Sequence, residues 1–270
     1  MSTQDTSPAN KSNFDTILVL DFGSQYTQLI ARRVREMNVY SEILPWDISS
    51  ERIQALNPKG VILSGGPASV TNSNTPRAPE IIFELGIPIL GICYGMQTLA
   101  EQFGGQVTSS KIKEFGHAQI TIENASSLFN GFDIGSNIDV WMSHGDHVSS
   151  LPDAFNLIAS TESAPIAAME HAEKPIYALQ FHPEVTHTKE GSIVLENFVI
   201  KICNATPGWK MDGLIAQKID KIKKQVGDQK VLLGLSGGVD STIVTYLLKQ
   251  QIPDLQAFVV SVGDTGKKDD

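Results

Sequence analysis

The sequence predicts an α/β protein, with a mostly parallel central sheet, helices on both faces and added antiparallel strands. Three observations predict it. Short apolar runs at residues 16–20, 60–63 and 88–92 read as parallel strands buried on both faces. Between them, Tyr26, Leu29, Ile30, Val34 and Met37, and later Met96, Leu99, Ala100 and Phe103, recur at helical spacing. From Gly105 to Gln180 the rhythm changes to short runs separated by turns, which suits antiparallel strands and loops.

In chain order, the run 16–20 ends at Asp21 and a second strand is expected at 39–44. The run 60–63 stops at the breakers Ser64-Gly65-Gly66-Pro67. A helix is expected at 81–85, and the run 88–92 ends at Cys93. Gly104-Gly105 stop the helix that follows. Strands are expected at 118–122, 156–159, 166–169 and 176–179, and Leu195, Phe198, Val199 and Ile202 mark a closing helix. Ile215, Ile219, Ile222 and Val226 share one helical face. A strand at 230–235 precedes Ser236-Gly237-Gly238-Val239-Asp240-Ser241, with a helix at 243–248 and a strand at 257–262 beyond. In parallel sheets functional residues gather at the carboxyl ends of strands, where the 64–67 turn and Cys93 both stand.

The chain has 270 residues, 41% hydrophobic and 19% charged, enough for a sizeable core and unlike a disordered, collagenous or coiled-coil chain. Two cysteines exclude a disulfide scaffold and a four-cysteine zinc module. A net charge of −9 argues against nucleic acid as a partner. Residues 1–13 are rich in Ser, Thr and Asn and lack the apolar run of roughly 7–15 residues that a secretory signal needs. Nor does any stretch reach the ~18 apolar residues of a membrane-spanning helix. The expected setting is cytoplasmic, with no membrane partner. Charge divides unevenly: residues 1–206 carry a net −10 and residues 207–270 a net +1. The expected organisation is a mobile tail at 1–14, a first domain at 15–204, a linker at 205–212 containing Pro207 and Gly208, and the incomplete start of a second domain at 213–270.

Gly91-Ile92-Cys93-Tyr94-Gly95 places a nucleophile between glycines, after a strand and before a helix. This is the pattern of a nucleophile elbow with Cys in place of Ser. Glycines relieve crowding at such a turn, and the helix N-terminus stabilises a thiolate. The Tyr94 N–H would face an oxyanion, and a second donor could come from the 64–67 turn. Most free cysteines are small buried apolar residues; that description suits Cys203, whereas the glycines and strand-end position set Cys93 apart.

A cysteine nucleophile needs a base, usually His, oriented by a third group. His182 follows an apolar run and lies in His182-Pro183-Glu184, so Glu184 is near enough to orient it. His144 and His147 with Asp146 could ligate a metal, but no cysteine or third histidine stands near them in sequence. A polar substrate-lining or structural loop is the better reading there, and no metal site is assigned. The segment 236–241 joins a strand to a helix and can cradle phosphate in successive N–H groups. It lacks the Gly-Lys-Ser/Thr ending of a Walker loop and the glycine spacing of a dinucleotide loop.

These motifs, with Asp21-Phe22-Gly23-Ser24-Gln25-Tyr26, Met96-Gln97, Trp141-Met142-Ser143-His144-Gly145-Asp146 and Gln180-Phe181-His182-Pro183-Glu184-Val185, resemble the glutamine-hydrolysing GMP synthetase family. The resemblance runs from about residue 16 to 248. It implies a class I glutamine amidotransferase fold, followed by the first βα units of an adenine-nucleotide α-hydrolase-like domain. It implies that Cys93 forms a γ-glutamyl thioester, that His182 moves protons and that Glu184 orients it. Gly65 and Tyr94 amides would hold the oxyanion, and Gln97, Ser143 and His144 would help bind glutamine. No cofactor is needed for that step. The ammonia would serve an ATP- and magnesium-dependent amination of xanthosine monophosphate to GMP, with Ser236, Gly237, Gly238, Val239, Asp240 and Ser241 binding ATP. The family often has Ser-Ser where this chain has Ser241-Thr242, and residues 258–266 depart from its usual strand ending. The family's remaining pyrophosphatase sheet and C-terminal dimerisation domain have no counterpart before Asp270. At most glutaminase activity is therefore expected of these 270 residues, and a homodimer only with that last domain. The alternatives are an amidotransferase serving another adenylating ligase and a non-catalytic nucleotide-sensing or partner-binding module.

Overall fold

Residues 14–162 and 164–210 are described by a computed structural model, as are residues 220, 223–224, 226–227, 233–235, 239–251 and 257–259. It divides into two compact units, with the boundary between Trp209 and Lys210.

In the first unit the apolar runs and helical periodicities fold in the expected alternation: β1 (Thr16–Asp21), α1 (Thr27–Glu36), β2 (Tyr40–Pro45), α2 (Ser50–Leu56), β3 (Gly60–Leu63), α3 (Ile81–Glu84), β4 (Ile89–Ile92) and α4 (Tyr94–Gln102). There follow β5 (Gln106–Ile122), a 3₁₀ turn at Ser127–Phe129, β6 (Asn137–Ser150), β7 (Phe155–Ser160), β8 (Ala168–His171), β9 (Ile176–Leu179) and α5 (Gly191–Glu196). A π-helix, Asn197–Ile202, continues α5. The strands form one sheet in the order β2-β1-β3-β4-β9-β8-β7-β5-β6. Pairing is parallel from β2 to β9 and antiparallel from β9 to β6.

Successive residues of the parallel strands feed opposite layers, as the pleat dictates. Ile17, Val19, Ile62, Leu90 and Ile92 pack with Ile30, Ala31 and Val34 of α1 and with Val194, Leu195, Phe198 and Val199. Leu18, Leu20, Val61, Leu63 and Ile89 pack on the other side with Ile53 of α2, Ile82 of α3 and Met96, Leu99 and Ala100 of α4. Each such Val, Leu or Ile contributes roughly 1.5–3 kcal/mol when fully buried. These double-sided contacts hold the carboxyl ends of β1, β3 and β4 side by side.

The structure corrects the sequence reading in three places. Helix α2 has no long apolar stripe to announce it; the Ser49 side chain accepts from the Arg52 N–H and starts it, and Asn57 in the left-handed region ends it. The segment around His144, expected to be a loop, is strand β6, paired with a β5 that runs far beyond the expected 118–122. Polar residues fill the first part of β5, and they mask its strand character. The run expected at 166–169 forms β8 two residues later.

In the second unit β10 (Leu233–Leu235) and β11 (Ala257–Val259) pair in parallel, and α6 spans Val239–Gln251. The tail 1–13, most of the helix expected at 215–226, Ser236–Gly238 and the stretch after Val259 lie outside the described residues. No helix among the described residues is long and apolar enough to cross a membrane.

Candidate active site

Cys93 stands between the end of β4 and the first residue of α4, with φ 54° and ψ −105°. A positive φ is costly for a residue with a side chain and persists only where the surroundings enforce it. Here they do: the Cys93 N–H donates to the Leu179 carbonyl at 2.7 Å, and the Gly95 N–H donates to the Ser64 carbonyl at 3.1 Å. The flanking glycines are required by space. A Cβ on Gly91 would come 2.7 Å from the Gly95 backbone, and one on Gly95 would press into the Leu63 carbonyl. The turn aims Cys93 Sγ along β6, 3.6 Å from the Ser143 carbonyl.

Tyr94 opens α4, so its N–H has no intrahelical carbonyl to meet. Its hydroxyl donates to the Pro76 carbonyl at 2.7 Å, and its ring packs 5.4 Å from that of Phe22. The other expected donor, Gly65, lies in the turn after β3. The Ser64 hydroxyl accepts from the Phe22 N–H and donates to the Gly65 carbonyl, which fixes that turn. Gly65 lies so close to the His182 ring that a Cβ there would be 3.2 Å from its Cε1.

His182 and Glu184 are both buried. His182 Nδ1 is 2.7 Å from Glu184 Oε1. That contact leaves Nε2 as the ring nitrogen available to other groups. Burial works to lower the His182 pKa. The Glu184 charge, and hydrogen bonds to Cys93 and Glu184, outweigh it and raise the pKa well above the usual histidine value. The Tyr26 ring meets the imidazole edge-on at 5.0 Å, and Arg33 Nε donates to the Glu184 carbonyl at 2.9 Å.

A cavity of about 600 Å³ opens over this group. Its lining includes Ser24, Tyr26, Gly66, Cys93, Ser143 and His182, with Gln97, His144 and Asp146 also on its wall. Gln97 Nε2 donates to the Asp146 carbonyl at 2.7 Å and so ties α4 to β6. His144 Nε2 lies 3.0 Å from Glu114 Oε2, a separation that would suit an ion pair. Burial, however, raises the Glu114 pKa, and burial together with His147 pushes that of His144 down to about 4. Each group is thereby driven towards its neutral form, and the alignment falls short of a hydrogen bond. His144 is accordingly a neutral wall of the cavity at pH 7.

The structure brings Cys93, His182, Glu184, Gly65 and Tyr94 together, with Gln97, Ser143 and His144 on the same cavity. Among the described residues no group of three or more His, Cys, Asp or Glu could hold a metal ion. Of the six phosphate-loop residues, Val239, Asp240 and Ser241 open α6, and Ser236–Gly238 lie outside the described residues. Sequence reasoning gives no role to Glu114, Gln180, Arg33 or Thr188. The alternation of Ile138, Val140, Met142 and His144 is a legible sign that His144 sits on a strand facing inward.

Comparison with known proteins matches two families. Residues 18–202 fit the family model described as glutamine amidotransferase class-I, and residues 214–270 fit one described as NAD synthase. The chain is 54% identical over 242 residues to a glutamine-hydrolysing GMP synthase of Hamiltonella defensa, covering 87% of this chain and 46% of that protein. It is 56% identical over 244 residues to the corresponding Colwellia psychrerythraea enzyme, covering 88% and 46%. The chain thus spans about half the length of the curated relatives it matches. Among solved structures, a Thermoplasma acidophilum protein described as a GMP synthase subunit superposes with a TM-score of 0.62 at 34% identity, covering 77% of this chain and 99% of that one.

Proposed function

The chain belongs to the class I glutamine amidotransferases, and on that premise we propose that its first unit hydrolyses glutamine to glutamate and ammonia through Cys93, His182 and Glu184. The observation that carries this reading is the strained cysteine elbow, its thiol coupled to a histidine that a buried carboxylate holds at 2.7 Å. In this reading Cys93 passes its thiol proton to His182, and Sγ attacks the side-chain amide carbon of glutamine. The carbonyl oxygen gains the negative charge and meets the Tyr94 and Gly65 amides. His182 gives a proton to the departing nitrogen, and ammonia leaves a γ-glutamyl thioester on Cys93. Water then attacks the thioester carbonyl while His182 takes its proton, the C–S bond breaks as that proton returns to Cys93 Sγ, and glutamate departs. Glu184 holds the imidazole in place and balances its positive charge. Gln97, Ser143 and His144 shape the wall against which glutamine lies.

The ammonia is proposed to serve ATP-dependent amination of xanthosine monophosphate to GMP; the similarity to proteins named glutamine-hydrolysing GMP synthases supports that reading. Residues 236–241 would receive the ATP phosphates at the N-terminus of α6, and magnesium would accompany the nucleotide. A cytoplasmic setting agrees with that chemistry.

Glutamate release by the 270-residue chain, followed by a coupled dehydrogenase assay, tests the first step. Activity should fall to background in Cys93→Ala, and unchanged release in that variant would overturn the assignment.

A further inference from the structure

We propose that Thr188 is a positioning residue for the base, because its buried hydroxyl closes a three-bond ring that registers His182 against β6. This deepens the glutaminase reading and rests on it. The His182 N–H donates to the Trp141 carbonyl at 3.0 Å, the Trp141 N–H donates to Thr188 Oγ1 at 3.0 Å, and Thr188 Oγ1 donates to the His182 carbonyl at 2.7 Å. Thr188 is 4% exposed and His182 2%. One hydroxyl thus acts as acceptor towards the strand and donor towards the base.

The position of this ring gives it a catalytic consequence. Strand β6 carries Ser143, whose carbonyl lies 3.6 Å from Cys93 Sγ, two residues beyond Trp141. The backbone that bears the imidazole is therefore fixed to the strand that passes the nucleophile. The Glu184 contact holds the ring in its orientation, and with that orientation held the backbone position sets how far the imidazole reaches towards Sγ. A hydroxyl that both donates and accepts satisfies one buried and one partly buried backbone group that no apolar side chain could pair. His187, next in the chain to Thr188, stacks on Trp141 at 4.3 Å and reinforces the same junction from outside.

The test compares Thr188→Val, Thr188→Ala and Thr188→Ser in the 270-residue chain. Two readouts are taken: glutaminase kcat and KM, and the pH profile of Cys93 alkylation by iodoacetamide in the absence of glutamine. Displacement of the base should lower kcat and neutral-pH alkylation by about tenfold in Thr188→Val, with KM held within about twofold, since Thr188 does not line the cavity. Thr188→Ser keeps both hydrogen bonds and should restore both readouts to within about twofold of the parent. Should Thr188→Val fail to fold by circular dichroism, Thr188→Ala carries the same comparison. Parent-like alkylation and kcat in the apolar variants would overturn the proposal, as would a serine variant as impaired as they are. Absence of Cys93-dependent glutamate release from the parent chain would overturn the glutaminase reading instead, and the alkylation profiles would still decide the role of Thr188.

Discussion

Two buried histidines line the cavity, and their surroundings drive them in opposite directions. His182 is held protonated above its usual range, so its folded form binds a proton that the unfolded chain gives up. The stability this adds is fully present below about pH 6.5 and is lost as pH rises through the elevated value. Glu184→Gln removes the charge responsible. Urea unfolding followed by tryptophan fluorescence should therefore lose less stability between neutral and alkaline pH in that variant than in the parent. Equal losses would contradict the assignment of Glu184 as the charge partner. His144 behaves the other way, since its value near 4 means that the unfolded chain binds a proton first as pH falls. The stability linked to it is present above pH 6.5 and is lost down to about pH 4, amounting to at most about 3 kcal/mol. His144→Asn should flatten the acid side of the same profile, and an unchanged acid side would contradict a neutral buried His144. Cys93, His182 and Glu184 are legible in the sequence because strand ends, glycines and a short spacing mark them. Thr188 and Arg33 are not: they act on backbone carbonyls, and Arg33 reaches Glu184 across 151 positions of sequence.

At the scale of elements, the elbow depends on how closely α4 approaches β3 and β4. Helix propensity favours Ala over Gly by roughly 1 kcal/mol, so Gly95→Ala would stabilise an isolated helix. In the folded chain the added methyl meets the Leu63 carbonyl, and overpacking of this kind costs roughly 1–3 kcal/mol. The start of α4 must shift away from β3, and the Tyr94 amide and Cys93 shift with it. Glutaminase activity in Gly95→Ala should fall at least about a hundredfold even where thermal melts show the chain still folded. Parent-like activity would show that the close approach is not needed. The parallel strands β1, β3 and β4 are legible from their apolar runs because both faces are buried. Strand β5 is not, because its first half puts Ser109, Glu114 and an exposed Phe115 where apolar residues would have signalled a strand. That half forms part of the cavity wall, so polar side chains there serve the site rather than the core.

For the molecule as a whole, the change in charge balance after residue 206 falls close to the boundary between the two compact units. Composition alone marks that division. The helices and sheet of the first unit reduce to one arrangement: five parallel strands whose carboxyl ends carry the 64–67 turn, Cys93 and, just beyond β9, His182. Three segments far apart in sequence carry the proposed oxyanion donors, nucleophile and base, and only the strand order makes them neighbours. That order is not legible in the sequence, because β9 reaches β4 only after four intervening strands have been added to the sheet. Covalent catalysis at Cys93 is the claim on which the rest depends, and acid quenching during glutamine turnover followed by peptide mass spectrometry tests it most directly. A γ-glutamyl group should appear on the peptide containing Cys93 and be absent from Cys93→Ala. Glutamate formation in the parent with that cysteine unmodified throughout turnover would contradict it.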